Sequence, residues 1–373
     1  MRMALTTALP ILQPAWDCVR AWPSALAPWD ELQYASATEP WMSWSWLRTW
    51  WECYGGSNQL RLWHWRQGKQ WIACLPLMRE YRHGLRQLRG LGGAGQRRSI
   101  QCHPASLSQG GPSEWAATLA SALRRQRDWD VLQLDSMPVA EARLLQAACR
   151  EQRLPAMVGA TVAQRYIPLD RPWPEVTAHW GASLYCNVVR RERGLRKLGA
   201  LELVTVTDPE AAVPRFEECL AIEASGWKGR AGTAMLSNPL HARFYRALVR
   251  TLAEERRLRL MLLCCDHSII AFRLCTQQHG ALAGVKAAYA EAWRKHSPGM
   301  VMLHLMLRQA HQSGLNEYDF LGGDDQFKRD WTPFARPLTC LRVFNSTPRG
   351  RLAGLAVALR RRLRRAPMIG EPP

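Results

Sequence analysis

Three segments of this chain concentrate residues able to do chemistry: EASGWKGRAGTA (Glu223 to Ala234), VKAAYAEAWRKHSPG (Val285 to Gly299) and EYDFLGGDDQFKRDW (Glu317 to Trp331). Each mixes glycine turns with charged and aromatic side chains that packing alone does not require. Ser297, Pro298 and Gly299 precede an apolar run with helical spacing, Met300 to Ala310. Proline is tolerated at a helix start, glycine lets a backbone approach an anion, and the first N–H groups of a helix have no partner within it. A phosphate cradle is therefore one expectation there. Lys328 stands between Phe327 and Trp331. Partial desolvation suits such a cation to meet a developing oxyanion. Glu223 is a candidate general base for an acceptor amine or hydroxyl, with Asp319 and Asp324 as competitors. Trp227 and Lys228, in GWKG, read as a ligand-contacting loop whose flanking glycines widen the backbone choices. Lys286 and Tyr289 fall near the end of a strand, and Tyr289 is a candidate general acid.

Every one of these has a plainer alternative. Pro and Gly open many ordinary helices. Lys328 can be a surface lysine paired with Asp324 or Asp325, Glu223 a helix-terminal carboxylate, and Tyr289 a packing aromatic. No nucleophile constellation is present: the histidines are scattered, and Ser225 lacks the flanks of a nucleophile elbow. Direct attack by an acceptor is expected over a covalent enzyme intermediate.

The three segments, in this order and spacing, resemble the acetyltransferase domain of the CelD-like proteins of the GNAT superfamily. The matching residues are Glu223, Ser225, Trp227, Lys228 and Gly229; then Lys286, Tyr289, Pro298 and Gly299; then Tyr318, Asp319, Gly322, Gly323, Asp324, Lys328 and Trp331. The likeness extends upstream through PWMSWSWLRTWWECYG (Pro40 to Gly55) and WIACLPLMRE (Trp71 to Glu80). It implies an acyltransferase with acetyl-CoA as donor, and a sugar or polysaccharide precursor as acceptor. Lys286, Ser297, Pro298 and Gly299 would then hold the donor, and Trp227, Lys228, Asp324 and Trp331 the acceptor. Acyl transfer from a thioester needs a pyrophosphate cradle, a groove for the pantetheine amides and a polariser for the carbonyl. The chain departs from the usual Q/R-x-x-G-x-G/A pyrophosphate loop, with HSPG in its place. Fem-type aminoacyl transferases also carry an aromatic-Lys pair at the position of Phe327 and Lys328. Aminoacyl transfer from aminoacyl-tRNA is the alternative, and a non-catalytic scaffold subunit of a polysaccharide-synthesis complex is a third reading.

Composition bounds the rest. A chain of 373 residues exceeds what one core usually organises. The formal charge of +19, with 50 basic residues, favours anionic partners without selecting among CoA phosphates, RNA and an anionic membrane. The 11 cysteines form no C-x-x-C pair and fit buried free thiols rather than zinc or disulfides. No metal is expected. No apolar run approaches the roughly 20 residues of a membrane helix, so the cytoplasm is the expected location. Many of the 18 tryptophans, notably Trp41 to Trp51, recur at helical spacing and read as packing residues.

Periodicity gives an α/β (α+β) class. A helix over Trp41 to Cys53 precedes strands over Leu60 to Arg66 and Trp71 to Met78. LRGLGGAGQRR (Leu88 to Arg98) reads as a loop, Ser113 to Arg125 as a helix, Trp129 to Leu134 as a strand and Val139 to Arg153 as a helix. Three prolines in seven residues, Pro168 to Pro174, mark a junction. Beyond it come a helix from Val176 to Leu198, strands over Leu201 to Val206, Leu258 to Cys265, Ile269 to Thr276, Leu282 to Ala288, Tyr318 to Leu321 and Thr339 to Asn345, and helices over Pro209 to Ala224, Leu240 to Glu255 and Met300 to Ser313. The repeated order predicts tandem GNAT-like units, each a mostly antiparallel sheet flanked by helices: 1–167 degenerate, 168–347 carrying the site. Residues 348–373 form a basic tail. From Arg349 to Arg365 there are seven arginines and no acid around LAGLAVAL; as a helix this segment is suited to an anionic membrane surface.

Overall fold

A computed structural model describes residues 12–19, 40–67, 70–91, 105–106 and 111–365. Most of the Pro- and Trp-rich first 30 residues, and the glycine loop beyond Leu91, lie outside the described residues. The first half runs β1 (Leu12–Val19), α1 (Trp44–Tyr54), β2 (Gln59–Gln67), β3 (Gln70–Arg82), β4 (Leu85–Gly90), β5 (Ala105–Ser106), α2 (Pro112–Arg125), β6 (Val131–Pro138), α3 (Val139–Glu151) and β7 (Ala156–Pro168). The second half runs α4 (Trp173–Ala178), α5 (Ala182–Arg196), β8 (Leu201–Val206), α6 (Pro209–Ser225), α7 (Trp227–Arg230), α8 (Pro239–Glu254), β9 (Leu258–Cys265), β10 (Ser268–Gln278), β11 (Ala281–Tyr289), α9 (Pro298–Gln312), β12 (Glu317–Asp319), α10 (Gln326–Trp331), β13 (Ala335–Phe344) and α11 (Pro348–Arg365).

Local chemistry sets the boundaries that matter for the site. Asp208 caps α6 by accepting from the Glu210 and Ala211 amides, with Pro209 behind it. Asn238 and Pro239 repeat the device at α8. A side-chain oxygen at the cap satisfies an orphan amide, and proline has none to lose. β9 and β10 form a hairpin across Asp266 and His267, both at positive φ, as a tight twisted hairpin requires.

The strands make one continuous mixed sheet in the order β1-β2-β3-β4-β6-β13-β7-β12-β11-β10-β9-β8. Each half is a mostly antiparallel sheet with helices on its faces. They join where β7 pairs antiparallel with β12, Tyr166 opposite Asp319 and Pro168 opposite Glu317.

Two features depart from a simple division by chain order. Strand β13, assigned by sequence to the second unit, lies between β6 and β7 in the first unit's sheet. The two halves also share a core: α1 packs on α8, Trp46 against Phe244 at 6.2 Å and Tyr54 against Phe244 at 5.4 Å between ring centres. The tail is not an appendage either. It begins as α11, and Gly350 and Gly354 bring it onto the chain around Asn345, Asp130 and Phe344, where a Cβ at Gly350 would lie 2.5 Å from the Asn345 carbonyl oxygen. A second core, on the other side of the second half's sheet, gathers α9 with Trp180, Tyr318 and Trp331. The helix expected from Val176 to Leu198 is two helices, α4 and α5.

Candidate active site

The site begins with two parallel strands that separate. β11 pairs with β12 only over Ala281, Ala283 and the residue between them. Asp319 ends β12: its Oδ1 accepts the Leu321 N–H at 2.7 Å, and Leu321 and Gly322 then turn the chain with φ of 52° and 66°. On the other side β11 shifts register against β10 beside Gly284. Only glycine fits there, because a Cβ would lie 2.2 Å from the Tyr318 hydroxyl. From Gly284 to Tyr289 one edge of β11 therefore has no strand partner among the described residues. Two cavities open along it. The larger, ≈ 840 Å³, reaches the first half; the smaller, ≈ 460 Å³, reaches the start of α9. They meet at Lys228, Arg273, Ala287 and Phe327, which line both.

Lys228 is delivered to that junction by the packing of α7. Helix α6 ends at Gly226, and the one-turn α7 folds back so closely that a Cβ on Gly229 would lie 1.7 Å from the Ala224 carbonyl oxygen. The Lys228 ammonium donates to Glu223 Oε1 and to the Ala287 carbonyl on the open strand, both at 2.8 Å. Glu223 is 1% exposed, and its Oε2 accepts the Met235 N–H at 2.7 Å. Both carboxylate oxygens are thus engaged, which suits an anchor for Lys228 better than a free base. Lys286 lines the larger cavity, with its ammonium 5.2 Å from the ring centre of Tyr245. Burial, and secondarily Lys228, hold it below the usual lysine range, while Glu223 opposes the shift. Arg273 donates to the Tyr318 hydroxyl at 2.7 Å.

Toward the smaller cavity the chain leaves β11 through a 3-10 turn, Glu291–His296, and Ser297 sits at φ 52° before Pro298. Pro298 carries no N–H, and the Met300 and Val301 amides both close on the Ser297 carbonyl. Gly299 is the amide of the first turn left for an anion. Tyr289, Arg294, Ser297, Gly299 and Met300 line the smaller cavity together with Trp227, which is 54% exposed.

The Gly-Gly-Asp-Asp loop is tied down by its own lysine. Lys328 reaches the larger cavity, but its ammonium donates to the Leu321 carbonyl at 2.7 Å and the Gly323 carbonyl at 2.5 Å, and faces Asp325 at 3.3 Å. Its three donors are spent on the loop. Asp324 pairs with Arg165 of β7 at 2.9 Å, and that hydrogen bond holds its carboxyl below the usual range. Asp319 is 4% exposed; Gln164 donates to its Oδ2 at 2.7 Å and Arg336 at 3.3 Å. Burial pushes its pKa up to about 6. Trp331 is not brought to the cleft: it is 1% exposed and packs edge-on against Trp180 at 4.7 Å.

The structure therefore gathers Glu223, Trp227, Lys228, Lys286, Tyr289, Ser297 and Gly299 around one channel, with Lys328 at its wall. Pro298 is buried in the helix start. The first unit's sheet also lines the larger cavity, through Asp135, Ser136, Gln164, Thr339 and Cys340. These arrive through β6, β7 and the inserted β13, and no local motif marks them. Among the described residues, no group of three or more His, Cys, Asp or Glu is arranged to hold a metal. No helix among them is long and apolar enough to cross a membrane.

Residues 183–329 match the family model described as Acetyltransferase (GNAT) domain. No curated protein sequence matches the chain. Among solved structures, FemX is similar over 91% of this chain and 100% of its own, at 12% identity and a TM-score of 0.60. L-PGS from Bacillus licheniformis is similar over 92% and 98%, at 11% identity and TM-score 0.54. A conserved protein of unknown function from Bacteroides thetaiotaomicron covers 86% and 98%, at 12% and 0.51. At these identities the likeness is one of fold.

Proposed function

From a GNAT acetyltransferase domain spanning residues 183–329, we propose that the chain transfers an acyl group, acetyl foremost, from acyl-CoA to an amine or hydroxyl of a sugar or polysaccharide precursor. The observation that carries this reading is the edge of β11 from Gly284 to Tyr289, which has no strand partner among the described residues and is open to both cavities. Edge amides and carbonyls are the groups a pantetheine arm can pair with. A CoA thioester supplies an activated acyl group. The chain's own part is to hold it and manage charge. The Gly299 amide, with Arg294 beside it, faces the phosphate end. Lys228, pinned by Glu223 at the meeting of the cavities, offers its remaining N–H to the thioester oxygen as negative charge develops there. The acceptor enters from the larger cavity, where Asp135, Ser136, Gln164 and Thr339 provide the mixture of donors and acceptors that sugar hydroxyls pair with. As the new C–N or C–O bond forms and the C–S bond breaks, the acceptor loses a proton. That proton ends on the departing CoA sulfur, which leaves as the thiol; Lys286, whose pKa burial lowers, lines the cavity through which the acceptor enters.

One observation favours a second reading, aminoacyl transfer from aminoacyl-tRNA. The first turn of α9 leaves a single amide, Gly299, where a run of amides would cradle a pyrophosphate better, and the charge of +19 suits RNA. Thermal stabilisation separates the two. A shift with acetyl-CoA, and release of free CoA thiol with a sugar acceptor, supports the first. A shift with aminoacyl-tRNA alone supports the second and overturns the first.

A further inference from the structure

The last described helix presents an apolar stripe to solvent. On α11, Leu352, Leu355 and Leu359 are 67%, 68% and 59% exposed. Their spacing of three and four puts them on one face. The opposite face carries Gly350 and Gly354, both buried against the chain around Asn345 and Phe344. Arg349, Arg351 and Arg360 are exposed and have no acidic partner in an ion pair among the described residues. Helical geometry places Arg351 on one flank of the leucines and Arg349 and Arg360 on the other. The segment from Arg349 to Arg365 contains seven arginines and no acid.

The helix is fixed to the body, so the stripe is not a fraying end that could fold inward. Thr347 donates to Asp130 at 2.9 Å and accepts the Gly350 N–H at 3.1 Å. Asn345 Nδ2 donates to the Gln126 carbonyl at 3.0 Å and the Trp129 carbonyl at 2.9 Å. A helix this closely seated on its glycine face must show its leucines outward.

We propose that α11 docks the protein on an anionic lipid surface, leucines toward the acyl carbons and arginines among the phosphates. An apolar centre with cations on both flanks matches the layering of a bilayer interface. A nucleic acid would engage the arginines and leave the leucines in water. A protein groove would cover the leucines but would need acids on both flanks to meet the arginines.

The test is sedimentation of full-length protein with vesicles of phosphatidylcholine containing phosphatidylglycerol, against vesicles of phosphatidylcholine alone. The expected result is pelleting with the anionic vesicles only, reversed by salt. Replacing Arg349, Arg351 and Arg360 together by Gln should lower the partition coefficient roughly 100-fold, about fivefold per arginine. Leu352→Ser, Leu355→Ser and Leu359→Ser combined should abolish pelleting. These side chains are solvent-facing, so an unchanged melting curve shows the variant is folded; should it melt early, the arginine variant, which alters no packing, carries the test. Two results overturn the proposal: equal pelleting of the variants and the parent, or no pelleting of the parent. A concentration-dependent dimer abolished by the leucine substitutions, without vesicle binding, would show that a second copy covers the stripe instead.

Discussion

Replacing Lys228 by Met separates what the junction does for stability from what it does for the reaction. The substitution keeps most of the side-chain length and removes the charge. Glu223, 1% exposed, then loses the donor to its Oε1, and the Ala287 carbonyl loses its partner. Breaking a buried ion pair from one side usually costs about 3–5 kcal/mol. The Lys228 side chain is 22% exposed, and solvent screening lowers the expectation to roughly 2–3 kcal/mol. Glu223→Gln in the same background removes the stranded charge, so the double variant should recover part of that loss, with a coupling of about 1–3 kcal/mol. Chemical denaturation of the four proteins of the cycle measures it. Turnover should behave differently. If Lys228 meets the thioester oxygen, kcat falls on the order of 100-fold in both Lys228→Met and the double variant, with KM for acyl-CoA nearly unchanged. A double variant that regains stability and also regains turnover within about threefold of the parent would refute the electrostatic role and leave Lys228 as a structural staple.

Three further outcomes follow from the same geometry. Gly299→Val should weaken CoA binding without lowering the melting temperature, because the nearest atom to a Cβ there is Tyr289 Cδ1 at an ordinary 3.7 Å; calorimetry with unchanged CoA affinity would put the phosphate site elsewhere. Trp331→Ala should destabilise by about 3–5 kcal/mol while leaving KM for the acceptor alone in whatever fraction remains folded; a selective rise in acceptor KM would return Trp331 to the binding surface. Asp319 has its folded pKa raised to about 6 from 3.8, so its neutral form is favoured in the fold. The stabilisation from that proton is complete below about pH 4 and is lost as pH rises through 6, roughly 3 kcal/mol in all. Asp319→Asn should flatten the stability-pH curve in that window, and an unchanged slope there would contradict it.

How much of this was legible in the sequence depends on how local each signal is. The hairpin of β9 and β10, the strand β8 and the helices α6 and α8 announce themselves through continuous apolar runs, caps and turns, and their expected bounds lie within a residue or two of those observed. Strand β7 escaped notice because AMVGATVAQRYIP mixes small and polar residues without clean alternation. Its job is to pair with β12 and β13, so a sequence window sees neither partner. α10 is a single charged turn and a half, and it reads as loop. The GWKG segment reads as a loop in the sequence but is the one-turn helix α7, and the pairing of Lys228 with Glu223 and with the Ala287 carbonyl needs the α6–α7 fold-back. Trp331 and Lys328 stand in one motif but end on different sides of α10, one in the core and one at the cleft wall. Asp135, Gln164 and Cys340 reach the larger cavity from β6, β7 and the inserted β13, which no spacing rule connects.

A crystal structure of the protein with CoA bound would show whether an acyl-CoA lies along the open edge of β11. The expected result is the pantetheine arm against Gly284 to Tyr289, the sulfur beside Lys228 and the phosphates near Gly299 and Arg294. CoA bound away from β11, with the Lys228–Ala287 contact and the strand edge untouched, would contradict it.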